Sequence, residues 1–455
     1  MKVNPNIFKA YDIRGIYGAD LDEKISYKIG RAYLDLRREE SDKKELSVVV
    51  AEDMRLSSPT LKKSLIKGLL DSGATVIDIG LASTPTFYFA VANFNYDGGI
   101  MVSASHNPKE WNGFKLTREK AIPVSGDTGI NILRQKVLEN KFKLMEGAGQ
   151  IVKRNDILIK QMEHDLNFAS LDKIKPLRVV VDPANGMGAQ YIEALFKYLP
   201  CRLIKINFTL DGTFPAHEAD PLKEKNLADI KQKILDESAD LGIAIDGDGD
   251  RIFFIDNKGI TIDQSIIRGL LAMIFLREKP GARICYDIRP GRITRDLIEQ
   301  FGGVPIVTRV GHSLIKEQTI KDGAYFAGES SGHFFLNIKM GCFEMPMIMI
   351  LKLLQEFSQA GMPISEYIKP FNKYCHSGEI NTTVENKEKI INELEKKYQT
   401  GKINKLDGIS IEFPDFWFNV RPSNTEPLLR LNLEAKTKKL MEEKRDEVLK
   451  LIREN

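Results

Sequence analysis

Two periods of apolar residues alternate along this 455-residue chain. Short apolar runs such as Val48-Val49-Val50 read as buried strands. The spacing of Leu61, Leu65, Ile66, Leu69 and Leu70 gives a helix one apolar face. A strand–loop–helix–strand unit recurs three times. The first copy has strand 48–50, the acidic turn Glu52-Asp53 and a helix capped by Ser58 with Pro59 in its first turn. Gly73 follows that helix, and a strand begins at Thr75. The second copy has Val179-Val180-Val181, a turn over 182–186, a helix near 189–199 and a strand near 202–206. The third has strand 284–287, the turn Arg289-Pro290-Gly291, a helix near 292–301 and a strand near 304–308. From about residue 378 the order changes to strand, helix (386–398), two strands, a loop at 421–427, a strand at 428–434 and a charged helix. The pattern predicts an α/β protein of three similar α/β domains with mixed sheets plus a smaller C-terminal α+β domain. The expected boundaries are 1–150, 151–256, 257–367 and 368–455, with 366–377 as a linker and hinge.

Composition narrows the function. Hydrophobic residues make up 42% and charged residues 28%, which excludes a mostly disordered chain. Sixty-six Lys and Arg against 63 Asp and Glu leave a net charge of +3, too small for a nucleic-acid scaffold. Cys201, Cys285, Cys342 and Cys375 form no CxxC pair, so neither a thiol metal site nor a disulfide framework is expected. No apolar run approaches the ~18 residues of a membrane span. The expectation is a soluble cytoplasmic protein, monomeric or a small homo-oligomer, with no nucleic-acid or membrane partner. The mixed-charge run from Arg37 to Glu45 reads as a solvated helix end or loop.

Four segments carry candidate chemistry. The apolar strand Ile100-Met101-Val102 runs into Ser103-Ala104-Ser105-His106-Asn107-Pro108. Ligands gather at the carboxyl ends of strands in open α/β sheets, so Ser105 reads as a nucleophile or phosphate carrier, or else as part of a plain Ser-Asn-Pro turn. In Asp246-Gly247-Asp248-Gly249-Asp250-Arg251, three carboxylates within five residues repel one another without a cation. Oxygen ligands without His or Cys point to Mg²⁺, Mn²⁺ or Ca²⁺. An EF-hand fits poorly, with Arg251 and Asn257 at its Gly and Glu positions, and a solvent-exposed Asp-Gly turn is the structural alternative. Gly328-Glu329-Ser330-Ser331-Gly332-His333 offers groups that bond sugar hydroxyls, or an ordinary polar loop. Arg421-Pro422-Ser423-Asn424-Thr425-Glu426-Pro427 offers a guanidinium fork and hydroxyl donors for a phosphate, or a polar inter-strand turn.

Taken together and in this order, these segments resemble the α-D-phosphohexomutase superfamily, in its phosphomannomutase/phosphoglucomutase branch. The resemblance extends to Phe8-Lys9-Ala10-Tyr11-Asp12-Ile13-Arg14-Gly15, Asn112-Gly113-Phe114-Lys115 and Gly311-His312-Ser313-Leu314-Ile315-Lys316. It implies four domains around a central cleft. It implies that phosphorylated Ser105 passes its group to a hexose 1-phosphate, forming hexose 1,6-bisphosphate, which turns around and returns the other phosphate. Mg²⁺ is then held by Asp246, Asp248, Asp250 and the phosphoserine. Tyr11, Glu329 and Ser331 contact the sugar, while Arg421, Ser423, Asn424 and Thr425 hold its resident phosphate. Arg14, His106, Lys115, Arg289, His312 and His333 are the acid–base candidates, and Arg251 adds positive charge.

Some positions depart from the family pattern. Arg289 replaces a more usual Lys, which speaks against direct proton transfer there. Cys342-Phe343-Glu344-Met345-Pro346 replaces an acidic pair and a small residue, and Ala51-Glu52 replaces a Gly-containing turn. The alternatives on the same fold are a phosphoglucosamine mutase and a sugar-bisphosphate synthase. AYDIRG, NGFK and RPSNTEP favour the hexose branch over the first. A Mg²⁺-dependent sugar phosphatase of the haloacid-dehalogenase type leaves the serine and arginine loops without a role. A non-catalytic sugar-phosphate binder leaves Ser105 and three carboxylates unexplained.

Overall fold

The computed structural model describes residues 3–41, 43–143, 149–423 and 427–454. It divides into two compact units, residues 1–262 with 331–365, and residues 263–330 with 366–455.

The first unit holds two mixed sheets. In the larger, Ser47–Glu52 lies parallel to Thr75–Leu81 and to Gly98–Val102, and the sheet turns antiparallel at Trp111–Arg118 and Ile13–Ile16. Parallel strands covered on both faces read as continuous apolar runs, which is why Val48–Val50 and Ile100–Val102 were legible. Strand Gln150–Lys153 pairs with Thr75–Leu81 and closes this sheet at its edge. The smaller sheet pairs Arg178–Asp182 in parallel with Arg202–Lys205 and Leu241–Ile245, then Leu241–Ile245 with Ile252–Asp256 as an antiparallel hairpin. Phe334–Ile338 and Gly341–Glu344 form a further antiparallel pair.

In the second unit, Arg283–Asp287 pairs in parallel with Val304–Thr308 and Phe326–Gly328. The C-terminal sheet is antiparallel, with Cys375–Thr383 at one edge and Leu428–Ala435 and Phe416–Pro422 inside. Helices Lys387–Lys397 and Lys438–Glu454 turn Ile390, Leu394, Val448 and Ile452 onto its core. Arg292 ties residues 263–330 to that domain, donating to the carbonyls of Phe413, Pro414 and Phe416.

Several local expectations change. Helix Ser58–Leu70 has Ser57, not Ser58, at its cap position, because the Ser58 hydroxyl donates to Asp53 Oδ1 at 2.6 Å. Arg37 is not solvated. It is buried in helix Glu23–Ser41, donates to the Asp97 carbonyl at 3.2 Å and pairs with Glu40 and Glu119. The C-terminal domain has three strands, Lys402–Asn404, Ile409–Glu412 and Phe416–Pro422, where two were expected. The extra one is a three-residue edge strand too short and polar to show a period. Residues 366–377, expected as a linker, begin where the second unit resumes after Ser365 and contain the end of helix Ile364–Ile368, the turn Lys369–Phe371 and the start of strand Cys375–Thr383. All four cysteines are free thiols, and no described helix is long and apolar enough to cross a membrane.

Candidate active site

In the first unit two loops meet at strand ends. Ser105 follows strand Gly98–Val102 and takes a left-handed φ of 52°, a conformation that costs a non-glycine residue about 1–3 kcal/mol. Its hydroxyl donates to Asp246 Oδ2 at 2.8 Å and lies 3.2 Å from His106 Nδ1. Asp246, Asp248 and Asp250 occupy the turn of the hairpin between Leu241–Ile245 and Ile252–Asp256, as the sequence predicted. Gly247 allows the two loops to touch: a Cβ there would stand 2.6 Å from the Ser105 carbonyl oxygen. Gly249 supplies a φ of 80° in the same turn.

The three carboxylates are fully buried, with one oxygen from each inside a 4.8 Å cluster. Burial and the charges of Asp250 and Asp248 push the Asp246 carboxyl well above the usual carboxylate range. Asp250 goes the other way. Although burial opposes it, Lys115, His333 and Arg251 hold it well below that range. Lys115 Nζ lies 2.6 Å from Asp248 Oδ2 and 2.5 Å from Asp250 Oδ2. Against burial, these two acids hold its ammonium well above its ordinary value. Thr84 also donates to Asp248 Oδ2 at 2.6 Å, so Lys115 and Thr84 share one oxygen of this carboxylate. Asp248 Oδ1 is buried without a hydrogen-bond partner. An all-oxygen set with one buried lone-pair face unused fits a hard divalent cation.

The other candidates in this unit surround that cluster. Arg14 bonds Asp12 at 2.7 Å and Asn107 Oδ1 at 2.5 Å. Burial opposes its charge, but Asp12, Asp248 and Asp250 keep it a firm cation. His106 is pushed well below its ordinary value by burial and by the cations Arg251 and Arg14, so its imidazole is neutral. His333 Nε2 faces Asp250 Oδ1 at 3.2 Å and Arg251 Nε at 3.4 Å, while Nδ1 meets Ser331 Oγ at 2.9 Å. Tyr11 is half-buried just before strand Ile13–Ile16.

The second unit collects a different set. Glu329 accepts from Arg289 Nη2 at 3.2 Å and from the Gly311 N–H at 3.1 Å. Against burial, Asp287 and Glu329 hold the Arg289 guanidinium above its ordinary value, so it remains a cation. His312 opens helix His312–Lys321 and is half-buried. Arg421, at the end of strand Phe416–Pro422, donates to Glu379 Oε2 at 2.6 Å. Ser423 is buried, and its carbonyl accepts from Lys387 Nζ at 2.8 Å. Asn424 and Thr425 lie outside the described residues. Glu329 and Ser331, expected to act together, fall in different units.

Four participants escaped the sequence reading. Thr84 orients Asp248, Glu379 occupies the Arg421 fork, and Asp53 and Arg55 lie beneath the serine loop. Glu344, a departure from the family pattern, shares a buried cluster with Asp250 and His333. Only Asp53 and Arg55 left a readable sign, two opposite charges just past the end of a buried strand.

Four family models match in chain order. They are the Phosphoglucomutase/phosphomannomutase alpha/beta/alpha domains I, II and III over residues 5–143, 157–259 and 263–374, and the C-terminal domain over 379–451. A phosphomannomutase of Vibrio cholerae is 40% identical, covering 98% of each chain. A phosphoglucomutase/phosphomannomutase family protein of Burkholderia thailandensis has a solved structure that superposes with a TM-score of 0.90 at 32% identity, covering 99% of this chain and 97% of that one. An N-acetylphosphoglucosamine mutase of Aspergillus fumigatus, solved with GlcNAc-6P and magnesium, shares the fold at a TM-score of 0.63 and 14% identity, covering 98% and 95%.

Proposed function

Because the chain belongs to the phosphoglucomutase/phosphomannomutase family and is therefore a hexose-phosphate mutase, an isomerase, we propose that it moves phosphate between O1 and O6 of mannose and glucose through phosphorylated Ser105 and hexose 1,6-bisphosphate. The observation that carries this reading is the Ser105 hydroxyl set 2.8 Å from the carboxylate cluster. A phosphoryl group in transfer needs alignment and charge neutralisation more than covalent help. Asp246, Asp248 and Asp250 would hold Mg²⁺, which supplies positive charge at the phosphoryl oxygens. Arg14 and Arg251 add fixed cations on the same side. His333, tied at Nδ1 to Ser331, is the nearest imidazole to Asp250 and the candidate to take the sugar hydroxyl proton. His106 is the second candidate, being neutral and beside Ser105. Arg289 remains a cation and takes no proton.

The second unit serves the resident phosphate. Arg421 is a planar fork suited to it, and an arriving phosphate must displace Glu379. Glu329 and Ser331 hold O3 and O4, which mannose and glucose share. No residue here is assigned to C2, so kcat/KM for the two sugar phosphates is expected to agree within about a hundredfold.

The test combines intact mass, peptide mapping and a coupled assay. Protein incubated with hexose 1,6-bisphosphate should carry one phosphoryl group on Ser105 and turn over mannose 1-phosphate and glucose 1-phosphate. A phosphate on Ser103, or full activity in excess chelator, overturns the assignment.

A further inference from the structure

Beneath the serine loop lies a guanidinium that touches no solvent. Arg55 Nη1 donates to the carbonyls of Pro108 at 2.8 Å and Trp111 at 3.0 Å. Its Nη2 donates to the carbonyls of Ser105 and Asn107, each at 2.7 Å. Nε faces Asp53 Oδ2 at 3.2 Å, and both side chains are wholly inaccessible. The ring of Phe214 covers the guanidinium, with its centroid 5.0 Å from the central carbon. Asp53 is fixed in turn. Its Oδ1 accepts from the Ser58 hydroxyl at 2.6 Å and from the Arg55 N–H at 3.1 Å, and Ser58 Oγ receives Asn112 Nδ2 at 3.0 Å.

A buried ion pair seldom stabilises a fold by itself, so its geometry carries the interest. Carbonyl oxygens are negative, and any that faced the Ser105 hydroxyl would repel a phosphate placed there. Four of them are instead drawn onto one interior cation. A planar fork with several fixed donors can span four acceptors, whereas an ammonium has three donors at one point. We propose that Arg55, oriented by Asp53, is a positioning residue for phosphoryl transfer: it gathers the carbonyls of the serine loop and holds Ser105 in the left-handed conformation that aims its hydroxyl at the carboxylate cluster. This inference rests on Ser105 as the phosphate carrier.

The experiment is Arg55→Lys in the full-length enzyme. Circular dichroism reports the fold, steady-state kinetics give kcat and KM separately, and peptide mass follows phosphorylation of Ser105 by hexose 1,6-bisphosphate. The expected result is a folded protein whose kcat falls by about a hundredfold, the scale of misplacing a reacting group by about 1 Å. KM should stay within about twofold, since the substrate contacts are untouched. The phosphorylation rate should fall in step with kcat. A folded Arg55→Lys enzyme with wild-type kcat and phosphorylation rate overturns the proposal, as does a change confined to KM. If Arg55→Lys does not fold, Ser58→Ala serves, because it leaves Arg55 in place and removes a hydroxyl that orients Asp53; Asn112, which also bonds that hydroxyl, keeps Ser57 Oγ as an acceptor. A smaller loss of kcat at unchanged KM, with faster amide exchange over residues 103–108, supports the proposal, and unchanged kcat overturns it. Wild-type protein that acquires its phosphate elsewhere than Ser105 removes the carrier assignment, and this inference with it. That outcome is read on the wild type alone and so is distinct from failure of the variants.

Discussion

The two units solve opposite charge problems. In the first, three buried acids are clustered, Lys115 lies between two of them, and one oxygen of Asp248 has no hydrogen-bond partner. In the second, arginines are held by acids: Arg289 by Asp287 and Glu329, Arg421 by Glu379. On the function proposed above, the first would receive a cation and the second an anion, and each already pairs with an internal group of that sign, Lys115 in the first and Glu379 in the second. A ligand must therefore displace a residue as well as enter, and its affinity is the difference between two charge pairings rather than the strength of one.

The sharpest break in this contrast is Ser105→Ala, which leaves the acids in place and removes the acceptor. Turnover should fall by on the order of 10⁴-fold or more, the scale of losing a nucleophile, while substrate binding by calorimetry persists. Asp248→Asn comes next. It removes one of the three clustered carboxylate charges, so Mg²⁺ titration should show weaker dependence and kcat should drop by about a hundredfold or more. On the anion side, Arg421→Lys keeps the charge but loses the fork. KM for hexose phosphates should rise roughly ten- to a hundredfold, matching the loss of a charge-assisted hydrogen bond worth about 1.5–3 kcal/mol.

The smallest effect is on stability. His376 Nε2 lies 2.5 Å from Asp263 Oδ2, and that hydrogen bond, against burial and with Asp263 and Glu434 adding negative charge, raises the His376 value. The stabilisation is complete below the ordinary histidine value of about 6.5 and disappears as pH rises through the raised one. Asp263 shifts downward, with the His376 bond outweighing burial, so its share is present above the ordinary carboxylate range and is lost only in strong acid. With both side chains about a third exposed, water screens the pair, and it is worth no more than about 1 kcal/mol. The thermal midpoint should fall slightly from pH 6 to pH 9, and His376→Gln should flatten that slope. An identical slope in the variant would show that the pair is not its source.

What the sequence made legible follows from how locally each feature is encoded. The metal hairpin announced itself because its three acids, two glycines and flanking strands are contiguous. The serine loop and the repeated strand–helix units were legible for the same reason. Thr84 and Glu379 were not, and Arg55 showed only as a charge just past a buried strand, since each acts on a residue tens to more than a hundred positions away. Arg37 misled because a charged residue inside a charged run reads as solvated, and only Glu119 and the Asp97 carbonyl, far along the chain, explain its burial. Ser58 misled for a subtler reason: a helix cap and a side-chain partner compete for one hydroxyl, and the sequence names only the cap.

The order in which the chain is made has its own consequence. Residues 331–365 belong to the first unit but are synthesised after 263–330, which belong to the second. At about 5–20 residues per second, the nascent first unit waits on the order of ten seconds for its returning segment. That segment carries Ser331, His333 and Glu344, so until it arrives Asp250 lacks its imidazole partner. Residues 263–330 meanwhile emerge before the antiparallel sheet that completes their unit. Neither half can finish as a contiguous stretch of chain, and a truncation at any single point leaves at least one of them incomplete. The surroundings of Asp250 are thus completed only once residues 331–365 have been made.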